Sequence, residues 1–233
     1  MLGELLPSPE APRRGQTERT RLWGVALLTV RARPTPRCLD RAAVRLRVAG
    51  LRRAACPAEP MVLAALERTG LEPVTERTAL PSFAAELTVQ ALAALGRAPA
   101  SATVRLCAGR RGRGLDRAAR ELAVRVRHVE VETPDGGPLR ESLRRQFGLA
   151  DHSGGAAVFS LLFDPLPEVL PPPPGLWLSR EEPPALWYAR ANISAPPPVE
   201  GGEPVTGSRA ALLLTAGVLN AGAVTVHLLE AED

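Results

Sequence analysis

The 233-residue chain has no lysine, one tyrosine, three histidines, three cysteines and 3% aromatic residues. Each scarcity excludes some chemistry. A phosphate-binding P-loop needs a lysine to reach the β- and γ-phosphates, and Schiff-base catalysis needs a lysine amine. The Tyr-x-x-x-Lys pair of short-chain reductases is absent too, because the one tyrosine, Tyr188, has Asn192 four residues later. Cys38, Cys56 and Cys107 never form C-x-x-C. Their spacing gives neither a disulfide framework nor a zinc knuckle, and reads as three reduced, mostly buried thiols of a cytoplasmic protein. His128, His152 and His227 form no H-x-x-x-H pair, so no metal site is expected.

All 29 basic residues are arginine, set against 25 acidic residues. With so much alanine, glycine and proline, this bias reads as the codon usage of a GC-rich genome. No block of five or six like charges forms a basic arm. A hydrophobic fraction of 45% over this length supports one large domain or two small ones, each with a real core.

Residues 1–20 are polar and proline-containing, with Pro7, Pro9 and Pro12, and are expected to be a disordered, dispensable leader. The Trp23–Val30 run ends at Arg31 and Arg33, which argues against a signal peptide. The stretch Ala210–Leu229 has no formal charge and is long enough to span a bilayer. Asn220, His227, Gly217 and Gly222 lie within it, so the expectation is a helix over 205–219, a break at Asn220–Gly222, and a buried strand over 223–229.

Between these ends, strand and helix signals alternate. Strands are predicted at 22–30, 51–56, 72–74, 102–107, 124–132 and 156–163, and helices at 36–48, 61–69, 83–95, 115–122 and 139–147. Ser82 is the predicted cap of the helix over 83–95, and Leu139, Leu143 and Phe147 share one face of the last. The alternation predicts an α/β fold, a mostly parallel sheet covered by helices. Beyond Asp164 prolines dominate, with short strand candidates at 176–178 and 185–193. The expected organisation is a leader at 1–20, an α/β half at 21–97, a second half at 98–170, a proline-rich extended segment at 171–204, and a terminal helix and strand at 205–233.

One motif carries a ligand hypothesis. Cys107-Ala108-Gly109-Arg110-Arg111-Gly112 follows a strand and precedes a helix. It resembles the dinucleotide-binding fingerprint G-x-G-x-x-G, with Cys107 in place of the first glycine. The resemblance implies a Rossmann-like β-α-β unit over about 101–132. In that family the second glycine lets backbone approach a pyrophosphate and the third allows close helix–strand packing, roles that fall to Gly109 and Gly112. The helix start offers free N–H groups to an anion, and Arg110, Arg111 and Arg113 offer guanidinium groups. Glu132, twenty residues after Gly112, stands where the family places the acid that binds a ribose hydroxyl; Glu130 is the alternative. The implied cofactor is NAD or NADP. The other reading is a Rossmann-like turn that no longer binds a nucleotide, with Cys107 packed beneath it.

The stretches LRRAACPAEP and VRVRHVEVETPDGGPLRESLRRQFGL are similar to a group of uncharacterised Rossmann-like proteins from endospore-forming bacteria. This resemblance spans about residues 20–165. It implies the α/β fold, no known activity, and a link to sporulation. Other candidates read as structure: Asp151-His152-Ser153 as a loop, Asp164 as the start of a turn, and Trp177, Trp187 and Tyr188 as core. Asn192-Ile193-Ser194 fits a glycosylation pattern that has no meaning without secretion. Three functions stay open: a non-enzymatic protein with a structural, regulatory or partner-binding role; a nucleotide-binding protein or oxidoreductase using the 107–112 turn; and an arginine-mediated nucleic-acid binder, disfavoured by a net charge of only +4.

Overall fold

The first strand of the fold begins at the second residue. In the computed structural model, which describes residues 1–148, 159–169, 174–179, 191–195, 197, 203–220 and 225–228, β1 (Leu2–Pro7) is the middle strand of a five-stranded sheet. The chain forms two compact units, one of Met1–Ala79 with Ile193–Val224, the other of Leu80–Asn192 with Thr225–Asp233.

In the first unit, β2 (Gln16–Leu22) and β3 (Val25–Ala32) make an antiparallel hairpin. Its turn, Trp23-Gly24, has positive φ at both residues, the geometry that matches strand twist. β1 pairs in parallel with β3 along its whole length and with β4 (Arg53–Ala55) on its other side, and β4 pairs with β5 (Glu72–Val74). Helix α1 (Pro36–Val48) buries Leu39, Ala42, Ala43 and Leu46 in one cluster with Leu5, Leu28 and Val30; α2 (Pro60–Arg68) adds Val62, Ala65 and Leu66. Successive strand residues face opposite ways, so Glu4 faces away from this cluster. There it meets Arg209 of α7 (Gly207–Thr215). α3 (Glu76–Ala79) ends the first stretch of this unit, and β10 (Ala191–Ala195) pairs antiparallel with β11 (Val205–Thr206).

The expected disordered leader is therefore corrected. Polar residues 8–20 hid a strand whose own sequence, LGELLP, buries Gly3, Glu4 and Leu5. The expected boundary at 97/98 is corrected as well, since the units divide at 79/80. α4 (Ala84–Ala94) belongs with the second unit because Glu86 pairs with Arg125 at 2.5 Å and Pro81 lies 3.2 Å from where a Cβ on Gly114 would sit. Ser82 does not cap α4; it lies in a 3-10 turn, Leu80–Phe83, that feeds the helix directly.

The second unit holds a wholly parallel four-stranded sheet in the order β7-β6-β8-β9: His128–Glu132, Thr103–Cys107, Phe159–Leu162 and Gly175–Trp177. Helix α5 (Arg113–Leu122) links β6 to β7 and buries Leu115, Ala118, Ala119 and Leu122. This is the Rossmann-like β-α-β unit. The second strand is shorter than the predicted 124–132, because residues 123–127 turn after the helix, leaving Val124 exposed. α6 (Gly137–Phe147) buries Leu139 and Leu143 but exposes Phe147 beside its cap, Gly148, at φ +67°.

The chain is α/β, with mostly parallel sheets flanked by helices. The tail is not one helix. α7 stops at Thr215 and Gly217 adopts positive φ, three residues before the predicted break, and β12 (Thr225–Leu228) is the last strand among the described residues. Among the described residues no helix is long and apolar enough to cross a membrane. Residues 151–153, Trp187, Tyr188 and most of the proline-rich segment lie outside the described residues.

Candidate functional site

β6 has β7 on one side and β8 on the other, so the strand order reverses beside β6. In open parallel sheets ligands bind outside the carboxyl ends of the strands at such a reversal. The 107–112 turn sits at this place, as its sequence predicts. What fills the crevice is the chain's own backbone. The Phe163 N–H donates to the Cys107 carbonyl at 2.9 Å, and the Gly109 N–H donates to the Pro165 carbonyl at 2.7 Å. The exits of β6 and β8 thus stay paired past the strand ends. A Cβ on Gly109 would lie 2.5 Å from the Leu166 carbonyl oxygen. The glycine permits close approach of backbone, but the backbone is that of residues 165–166.

The anion positions are also occupied by the chain's own groups. The Arg111 N–H donates to Asp135 Oδ1 at 2.9 Å, and Thr133 Oγ1 donates to the same oxygen at 3.1 Å. The first of these bonds holds the Asp135 carboxyl below the usual carboxylate range. The Arg111 guanidinium grips Asp116 with two bonds of 2.7 Å. Two carboxylates thus meet the donors a phosphate needs. Arg110 and Arg113 are exposed, with no acidic partner among the described residues. Gly112 is the residue before α5, and a Cβ there would meet no atom within 4 Å.

Glu132 ends β7 opposite Cys107, where the fingerprint places the ribose acid. Its Oε2 accepts from the Cys107 thiol at 3.7 Å and lies 3.5 Å from Arg105 Nε. Glu130, mostly buried, takes the closer contact with Arg105 at 3.0 Å. Cys107 is 1% exposed, and burial, reinforced by Glu132, pushes its thiol up to about 12. Sequence reasoning placed all five of Gly109, Arg110, Arg111, Gly112 and Glu132 at one end of the sheet. It missed Asp116 and Asp135. The second was visible as a turn residue in Pro134-Asp135-Gly136-Gly137, but its target 24 residues away was not.

A separate cavity of about 550 Å³ lies within the first unit, lined by Glu4, Leu6, Cys56, Thr206, Ser208 and Arg209 among others. Glu4 is 4% exposed and is held by Arg209 through bonds of 3.0 and 2.7 Å and by Thr29 at 2.9 Å. Ser208 Oγ donates to the Cys56 carbonyl at 2.5 Å. Sequence reasoning missed this cluster because 205 positions separate its two charged partners. Among the described residues no group of three histidine, cysteine or acidic side chains is placed to hold a metal.

The burial of two thiols gives a prediction. Burial raises Cys56, like Cys107, to about 12, whereas Cys38 is half-buried. An unfolded thiol ionises near 8.5, so the folded state binds the extra protons between that pH and about 12. Their contribution to stability is full below pH 8.5 or so and is lost as pH rises toward 12. Iodoacetamide at pH 8 should label Cys38 alone in the native protein and all three thiols in guanidinium. Mass spectrometry reads the result, and native labelling of Cys107 would show that the turn opens.

No protein-family model matches this chain, and no curated protein matches it. Among solved structures it is similar to L-tryptophan dehydrogenase from Nostoc punctiforme, with 12% identity and a TM-score of 0.32 over 70% of this chain. The chain's match spans 56% of that enzyme.

Proposed function

We propose that this chain is a non-enzymatic Rossmann-like protein with a structural, regulatory or partner-binding role, in which the 107–112 turn does no nucleotide chemistry. The bond from Gly109 N–H to the Pro165 carbonyl carries this reading, since it joins two strand exits across the place where a pyrophosphate would pass. The carboxylates on Arg111 support it. The scattered, unpaired cysteines support a cytoplasmic location, and the resemblance to proteins of endospore-forming bacteria supports a role in sporulation; a deletion strain that sporulates normally would remove that part.

The second reading, nucleotide binding, is favoured by one observation: Arg110 and Arg113 stand exposed at the start of α5. A single substitution separates the two. If Cys107 is a structural residue, Cys107→Gly loses burial and adds chain entropy, for a cost of about 1–3 kcal/mol. If it obstructs a nucleotide, the same change strengthens binding. The measurement is a thermal shift of wild type and variant with and without NAD, NADP and ATP. A saturating nucleotide at about 100 times its Kd adds roughly 2.7 kcal/mol of stability. The expected result is a less stable variant and no shift with any nucleotide in either protein. A nucleotide-dependent shift, in either, overturns the proposal.

A further inference from the structure

The modest net charge conceals an uneven distribution. The first 52 residues hold 11 arginines against 4 acidic residues, a net of +7, while the rest of the chain holds 18 against 21, a net of −3. The fold then sorts these charges by face. On β2, Arg19 pairs with Leu28 and Arg21 with Ala26. Leu28 lies in the cluster beneath α1, so both arginines project on the side of the sheet that α1 covers. On α1, Cys38, Arg41 and Arg45 share one flank by helical spacing. That flank runs along the loop leading into β2: Cys38 Sγ is 3.5 Å from the Arg13 carbonyl, and Arg45 Nη1 is 3.5 Å from the Gly15 carbonyl. Arg13, Arg14, Arg19, Arg21, Arg41 and Arg45 are all exposed, and among the described residues none has an acidic partner.

The acids of this stretch are elsewhere. Glu4 is buried on the opposite face of the sheet, and Glu18, opposite Thr29, projects to that same face. Asp40 is on the other flank of α1, held by Arg68 at 2.6 Å. Glu10 alone precedes the cluster, in the loop before Arg13.

We infer that this face binds the phosphate backbone of double-stranded DNA without reading its sequence. The inference rests on the partner-binding reading and supplies the partner. Guanidinium groups present planar forks that match phosphate oxygens, and a surface of donors fixed on a strand and a helix follows a charged rail rather than base edges. A membrane surface fits less well, because the apolar stripe of α1 is spent in the core and only Val44 and Val48 are exposed on it. Single strands need several aromatic platforms, and Trp23 is the one aromatic residue among the first 52.

The test is fluorescence anisotropy of the full chain with a labelled 25-base-pair duplex, of two unrelated sequences, between 50 and 200 mM salt. Four to six phosphate contacts give a log–log salt slope of about −4 to −5 and a loss of affinity of roughly 10²–10³-fold over that range. The quadruple variant Arg19→Gln, Arg21→Gln, Arg41→Gln, Arg45→Gln should keep the wild-type melting temperature and lose most of the affinity and of the slope. The variant Arg144→Gln, Arg145→Gln on α6, where both arginines pair with Glu141, should bind as wild type does. No binding at 50 mM salt overturns the inference. So does equal loss in both variants, or tighter binding to phosphatidylserine vesicles or to an RNA duplex than to DNA. None of these outcomes bears on the nucleotide screen, so the two readings fail separately.

Discussion

Removing residues 1–8 should abolish folding of the first unit. β1 is bonded to β3 through six register pairs and to β4 on its other side. Its loss leaves two inner strand edges with unpaired backbone groups. It also removes Leu5, fully buried, which contributes about 2–3 kcal/mol by burial, and strips Arg209 of its carboxylate partner. A domain's whole stability is about 5–15 kcal/mol, so these losses together exceed what the unit can absorb. The measurement is urea unfolding followed by far-ultraviolet circular dichroism. The expected result is an insoluble protein, or one lacking the transition of the first unit. A truncated chain with the wild-type midpoint would show that β1 is an accessory strand.

Helix α1 was legible to the residue because a proline start, a regular apolar stripe and a terminal glycine all agree at 36–48. β5 was legible as the three residues that follow the helix stop at Gly70. β1 was not, because a six-residue strand followed by eight residues, six of them polar or proline, has the composition of a loose terminus. Only pairing with residues 27–32 and 55, remote in sequence, makes it a core strand. The same separation governs the sites. The glycine turn was legible as local pattern, and the structure places it as predicted at the carboxyl end of β6. Its occupants were not legible, since Pro165, Leu166 and Asp135 arrive from 24 or more positions away. The basic face was hidden for a related reason: loop, strand and helix each carry two arginines, and no local window shows six.

Gly109→Ala should cost about 1–3 kcal/mol, the usual range for forcing atoms into filled space, or roughly 2–4 °C of melting temperature per kcal/mol. The added Cβ meets the Leu166 carbonyl oxygen at 2.5 Å and the Pro165 oxygen at 3.4 Å. Both are backbone atoms, and the second already accepts the Gly109 N–H, so relief requires separating the exits of β6 and β8. Gly112→Ala is the control. Its Cβ has open space and its φ of −141° suits any residue; alanine is the poorer residue at this N-cap, but the chain entropy it removes offsets about 0.4–1 kcal/mol, so the net change should stay below about 1 kcal/mol. In a working dinucleotide turn, both substitutions would act chiefly on ligand affinity. Here the first should act on stability alone, with NAD and NADP leaving every melting temperature unmoved. Equal stability of the two variants would mean that the 165–166 segment does not rest on Gly109, and the crevice at the end of β6 would then be open to a ligand.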